Sequence, residues 1–384
     1  MKNKILLLGF IACLFSLKAE EVEVATPPRS FVREFLMPIG MPVVVFWHQM
    51  KDNLFLNYAR QDAEGLEALG DWILTPYRYL LGGSDVIASS SHPSIVPSCK
   101  YHKQDGLKMT LSVLTLPFST ALGSVVKGTS LLFDKPKAAY YDLKKWRESF
   151  QFTSQNPHYL QQGIKALFCH EEAMSLNYAR PSELSKTHQI EIEVFKEICE
   201  LLKKHDIVFW LDCGSALGAY RYQGMIPWDD DIDISIVSND HHNVRKLLES
   251  LDPEKYQVQD WSSHLYPCTF IKFYIKKTKT LIDIYHYNLD AESQTATYFY
   301  TYQDTPLPKK WKRFEEVMTK PIPYSVLFPL KHAKFDGIDV WVPHNLEEFL
   351  HQKYGENLSP VMIWDEASQT YLKVMNHPYW HLFD

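Results

Sequence analysis

Residues 209–237 read Phe-Trp-Leu-Asp-Cys-Gly-Ser-Ala-Leu-Gly-Ala-Tyr-Arg-Tyr-Gln-Gly-Met-Ile-Pro-Trp-Asp-Asp-Asp-Ile-Asp-Ile-Ser-Ile-Val. An apolar strand over 207–211 leads into a Gly-Ser turn, Gly214 and Ser215, and four aspartates (229, 230, 231 and 233) crowd the mouth of a second strand. Carboxylates at that density repel one another, and a divalent cation is the simplest way to keep them together. Asp231, Ile232 and Asp233 alternate at period two, so both aspartates face one way while Ile232 and Ile234 enter the core. A solvated acidic turn would not interleave its aspartates with isoleucines.

The glycine lets backbone approach a ligand closely, and the Ser215 hydroxyl with neighbouring N–H groups can hold phosphate oxygens. Further on, Leu281-Ile282-Asp283-Ile284-Tyr285 repeats the strand pattern and offers a third carboxylate. Three strand-borne carboxylates can bind one or two Mg2+ (or Mn2+) ions and activate a hydroxyl for attack on phosphorus. Lys272 reads as a solvent-facing strand residue. His286 falls on the strand face opposite Asp283, which argues against a metal role. His241 and His242 read as surface or capping residues opening a helix that runs to Leu251, and His344 as a turn residue.

Around this stretch, Ile190, Val194, Ile198, Leu201 and Leu202 fall at helical spacing with Glu and Lys on the other face. Residues 269–275, 281–285 and 297–302 are β-rich. The order predicts an α+β domain around a short mixed sheet flanked by helices. The polar segment 150–180 separates it from what precedes, giving three divisions: 1–19, 20–170 and 171–384.

The first of these looks like a secretory leader or short anchor: Lys2 and Lys4, an apolar run over 5–17, then Lys18-Ala19-Glu20-Glu21. Export or membrane association is the expectation, with the cytoplasmic face as the alternative if an anchor stays uncleaved. Residues 20–170 carry no enzymatic signature. Prolines and glycines break the apolar run 35–47, and Ser, Thr and Gly interrupt 107–133, so neither is expected to span a bilayer. Packing on the main domain and contact with a membrane surface are the two readings of this region.

Composition narrows the field. A net charge of −6 provides no basic excess for generic nucleic-acid binding. The six cysteines form no Cys-x-x-Cys pair, which disfavours a zinc ribbon and a dense disulfide framework.

The stretch 212–233 resembles the signature of the LicD/fukutin family. The later Phe335-Asp-Gly-Ile-Asp-Val-Trp-Val-Pro-His-Asn-Leu-Glu-Glu-Phe-Leu-His-Gln-Lys-Tyr-Gly355 resembles its C-terminal segment. The resemblance covers roughly residues 185–360 and implies a nucleotidyltransferase-like fold of the polymerase β superfamily, with an N-terminal extension here. It implies transfer of a phospho-alcohol, such as phosphocholine or a polyol phosphate, from a CDP-linked donor to a glycan, lipid-linked or other hydroxyl acceptor, releasing CMP. By the same resemblance Asp229, Asp231 and Asp233 match metal-binding aspartates, and Asp283 the third acidic position, proposed as general base or metal-shared carboxylate. Gly214 and Ser215 match the phosphate-binding turn. Arg221 stands where a basic residue would neutralise the diphosphate, Trp228 either stacks on the donor base or packs, and Asp230 is a spacer or a neighbour of the ligands. Nucleotidyl transfer with release of pyrophosphate, and an exported binding protein without turnover, are the alternatives.

Overall fold

The computed structural model describes residues 40–42, 45, 53–87, 93–98, 105–150, 168–181, 184–262, 266–298 and 317–381. The expected leader lies outside these, as does most of the apolar run at 35–47.

The N-terminal part begins with β1 (Tyr58–Arg60), α1 (Gly65–Ile73) and α2 (Thr75–Leu81), followed by β2 (Ser84–Ile87) and β3 (Ser94–Pro97). β1 runs parallel to β2, and β3 closes this small sheet antiparallel. Then come two long helices, α3 (Gly106–Ser130) and α4 (Asp134–Ser149). The Ser and Thr residues that break the apolar run in the sequence do not break α3. Thr110, Thr115, Ser124 and Thr129 turn their hydroxyls back onto the carbonyls four residues earlier, which satisfies them within the helix. α3 is long and apolar enough to cross a membrane by length and composition.

Its polarity is inverted. Ser112, Ser119, Gly123, Lys127 and Ser130 are buried, whereas Leu107, Leu111, Leu114, Phe118, Leu122 and Val125 form an exposed stripe at helical spacing. α1 and α2 lie close against the small-residue face: a Cβ added at Gly70 would collide with Lys127, and one at Gly123 with Leu74. Inside this contact Lys127 Nζ reaches Asp71 Oδ1 and the Tyr58 carbonyl, each at 2.6 Å.

The larger part starts with β4 (Phe168–Glu172), so the boundary expected at 170/171 falls inside a strand. α5 (Lys186–Lys204) follows, capped by Ser185, whose hydroxyl accepts from the His188 N–H. Its inner face is Val194, Phe195, Ile198, Cys199 and Leu202. Next are β5 (Phe209–Leu211), α6 (Cys213–Tyr222), β6 (Asp231–Val237), α7 (His241–Glu249), β7 (Tyr256–Asp260), β8 (Phe270–Ile275), β9 (Thr280–Asp290), β10 (Thr295–Tyr298) and β11 (Ile322–Pro323). Last come the hairpin β12 (Leu330–Phe335) and β13 (Ile338–Val342), α8 (Leu346–Tyr354), and a ribbon of β14 (Met362–Asp365) and β15 (Thr370–Lys373).

Strands β5 to β11 make one seven-stranded mixed sheet. β6 and β9 are parallel neighbours at its centre, β5 is antiparallel to β6, and β8 and β10 pair successive stretches of β9. β12 pairs with β13 and, in parallel, with β4 in a second sheet. The Asp336-Gly337 turn of that hairpin has positive φ at both residues, which the asparagine-like Asp and the glycine tolerate. The mixed α+β class expected from the sequence is what the chain adopts. Its main core runs from Val194 to Leu358, with Ile232, Ile234, Ile282 and Ile284 fully buried in the sheet.

Candidate active site

Two strand ends and a helix start meet at the site. Asp231 and Asp233 share one face of β6, as the alternation requires, and parallel register sets Asp233 directly beside Asp283 on β9. Antiparallel register then sets Lys272 of β8 beside Asp283. A row Asp233–Asp283–Lys272 therefore crosses three adjacent strands. Carboxylate oxygens of Asp231, Asp233 and Asp283 lie within 4.8 Å of one another, as do those of Asp229, Asp230 and Asp231. Asp231 belongs to both sets, so Asp230 stands closer to the ligand positions than a mere spacer would.

Asp233 is 5% exposed. Burial pushes its carboxyl well above the usual carboxylate range, and the charges of Asp283 and Asp229 push it the same way. Asp231 is displaced upward by burial and then by Asp233 and Asp229. Lys272, with Nζ at 2.8 and 2.6 Å from the two Asp283 oxygens, supplies the nearest countercharge. The lysine is thus a partner within the site rather than a solvent-facing residue. A single ammonium cannot balance this many carboxylates in a low-dielectric position, and the all-oxygen donor set suits a hard divalent cation.

Gly214 and Ser215 are not a free turn but the opening of α6, whose N-cap is Asp212. The Gly214 N–H donates to Asp233 Oδ2 at 3.0 Å, and the Ser215 hydroxyl oxygen accepts from the Asp233 N–H at 2.8 Å. The helix start therefore orients the aspartate, with its N-terminal partial positive charge toward a carboxylate. A Cβ on Gly214 would collide with the Asp229 carboxylate, which explains the glycine as a close-approach position. Asp229 is further held through its carbonyl, 3.1 Å from His188 Nε2.

Two expected substrate contacts sit elsewhere. Arg221 is 3% exposed, and its Nε and Nη2 donate to the carbonyls of Leu358 and Ser359, both at 2.7 Å. Seven residues beyond Gly214 on a helix, it lies about 10 Å further along the axis, so it anchors the C-terminal segment instead of facing a diphosphate. Trp228 packs edge-to-face against Tyr222 and Tyr371 and is nearly buried, which favours packing over base stacking.

Residues 206–345 match the sequence model described as LicD/FKTN/FKRP, nucleotidyltransferase domain. This segment is a LicD-family domain. Among curated proteins, an uncharacterised Rickettsia prowazekii protein is 28% identical over 181 residues, 47% of this chain and 56% of that protein. The ribitol 5-phosphate transferase FKRP of Homo sapiens is 25% identical over 169 residues, 42% of this chain and 30% of that protein. The ribitol-5-phosphate transferase FKTN of Mus musculus is 24% identical over 179 residues, 46% and 35% of the two chains. The matched region thus spans about half of the Rickettsia protein and about a third of the two transferases.

The chain also carries supporting residues that its sequence pattern does not reveal. Beneath α6, Lys353 of α8 forms a buried ion pair with Asp212, and its Nζ lies 3.0 Å from the Tyr287 hydroxyl. Asp212 Oδ2 accepts from Ser235 at 2.6 Å and from Tyr287 at 3.0 Å, and Oδ1 accepts from the Cys213 N–H at 2.6 Å. Every member of this network is satisfied, the condition under which a buried charge pair is tolerable. It fixes the strand-to-helix junction on which Gly214 and Ser215 stand. Arg180 and Asp336 form a second clamp, with Asp336 Oδ2 accepting from the Met225 N–H at 2.7 Å and Arg180 donating to the Met225 carbonyl at 3.0 Å. An aspartate directly before Cys-Gly-Ser carries an N-cap signal. Lys353, 141 residues away, has none.

Proposed function

We propose that this protein transfers a phospho-alcohol, phosphocholine-like or polyol-phosphate-like, from a CDP-linked donor to a hydroxyl of a glycan or related acceptor, releasing CMP. The observation that carries this reading is the Asp231–Asp233–Asp283 cluster at the opening of α6, within a LicD-family domain whose relatives include proteins named ribitol 5-phosphate transferases. We read the junction of β5, α6, β6 and β9 as a nucleotidyltransferase-like fold.

Asp229, Asp231 and Asp233 would hold Mg2+ or Mn2+, with Asp283 sharing the site. Bound there, the cation would neutralise diphosphate charge and stabilise the departing CMP. The acceptor hydroxyl gives its proton to Asp283 as its oxygen bonds to the distal phosphorus, and the bond from that phosphorus to the CMP oxygen breaks. Lys272 holds both Asp283 oxygens in place, and the α6 start holds Asp233. The ion pair of Lys353 with Asp212 keeps that helix seated.

The exposed apolar stripe of α3, over a polar interior, supports a membrane surface as the place of work. A screen of CDP-linked alcohols with glycan and lipid-linked acceptors tests the reaction. Metal-dependent CMP release is the expected result. Pyrophosphate release from a nucleoside triphosphate would instead support nucleotidyl transfer, and no turnover with any donor that binds would support a binding protein.

A further inference from the structure

On the other face of β9 the sheet gathers nitrogen and sulfur donors that the transfer chemistry does not use. His286 lies three residues beyond Asp283 and so points away from the aspartates. Contrary to a surface or capping role, His241 is 1% exposed, and its Nδ1 lies 3.0 Å from His286 Nε2. His242 Nε2 lies 3.5 Å from Cys268 Sγ. One ring nitrogen from each of His241 and His242 and the Cys268 sulfur fall within 4.8 Å of one another. From these positions we propose that His241, His242 and Cys268 form a zinc site, separate from the carboxylate cluster, that joins the start of α7 to the approach to β8.

Four features support it. Zn–S near 2.3 Å and Zn–N near 2.05 Å in a tetrahedron put sulfur and nitrogen roughly 3.5 Å apart, which matches the Cys268–His242 separation. Mixed imidazole and thiolate donors suit zinc and not magnesium. Cys268 holds φ +61°, a left-handed conformation rarely occupied by a side-chain-bearing residue and concentrated where function over-determines the backbone. Lastly, the His286 contact has the form of support for a ligand. When His241 Nδ1–H donates to His286 Nε2, the lone pair of His241 Nε2 is left for a metal.

Zinc binding would release the Cys268 thiol proton. Asp260, which approaches Arg147 of α4 at 3.7 Å and Arg245 of α7 at 3.5 Å, is already paired with two guanidinium groups. The Phe150 carbonyl, just past α4, lies 3.7 Å from Cys268 Sγ. The three donors come from α7 and the approach to β8, so a metal here ties these two segments together.

Cobalt(II) titration of the purified, chelator-stripped chain tests the site. The expected result is about one Co2+ per chain with tetrahedral ligand-field bands and a thiolate-to-cobalt charge-transfer band, displaced by Zn2+. The charge-transfer band should vanish in Cys268→Ser and weaken in His242→Ala, and persist in Asp231→Asn. A folded unsubstituted chain without the band overturns the assignment, as does a band that survives Cys268→Ser. Should Cys268→Ser fail to fold, the unsubstituted titration and His242→Ala, whose ring is partly exposed, decide the matter.

Discussion

The two halves of this chain bury opposite things. In the larger part, Ile232, Ile234, Ile282 and Ile284 fill the sheet, and the buried charges include the aspartate cluster, the Lys353–Asp212 pair, Arg221 and Glu191. In the helical N-terminal part, Lys127 and Asp71 meet in the interior while Leu114 and Phe118 stand outward. The N-terminal part still has a small apolar core of Leu56, Leu74, Tyr77 and Leu81, so the inversion is confined to the outer face of α3. On the reading proposed above, the chemistry belongs to the larger part and the membrane contact to α3.

That division can be broken by experiment. Asp231→Asn or Asp233→Asn should lower turnover on the order of 10³-fold or more while vesicle binding is unchanged. If flotation with vesicles also fails, the halves are not independent. Lys353→Met should destabilise the LicD-family part by about 3–5 kcal/mol, because Asp212 is left charged and unpaired in the interior. Urea denaturation reads this, and a loss under 1 kcal/mol (about the value of an exposed pair) would show the network to be solvated. Gly214→Ala should slow turnover by about 10²-fold with little change in melting temperature, since the methyl displaces Asp229 rather than opening a cavity. Smallest is the single change Phe118→Glu. It should weaken vesicle partitioning by about 10-fold or more, from roughly 1.5–3 kcal/mol of apolar burial lost, with unaltered turnover of a soluble donor and acceptor. Unchanged flotation would remove the membrane reading.

Legibility in the sequence followed the length scale of each interaction. The Asp231/Asp233 alternation and the burial of Ile232 depend only on period-two geometry, so a short stretch sufficed. Placing Asp283 beside Asp233 needed one assumption, that two Ile-Asp-Ile strands are neighbours. Lys272 was misplaced because its side depends on the register of β8 against β9, which no local pattern encodes. His241 and His286 are 45 residues apart, and an adjacent pair of histidines at a helix start gives no hint of burial. Arg221 was placed by its position in a motif, although its guanidinium is taken up by the Leu358 and Ser359 carbonyls. The inverted α3 was hidden because its Ser and Thr residues look like interruptions until their hydroxyls are seen bonded along the helix.

The register of β6 against β9 has a further consequence. Because side chains alternate, a slip of one residue would exchange Asp283 for Ile284 beside the helix start and drive a carboxylate into the isoleucine layer. The two strands come from segments about fifty residues apart in the chain. A chain in which they have not yet met correctly lacks the Asp231–Asp233–Asp283 set and keeps only the local Asp229–Asp230–Asp231 group. If the strand carboxylates hold a cation as proposed, binding there reports on correct folding.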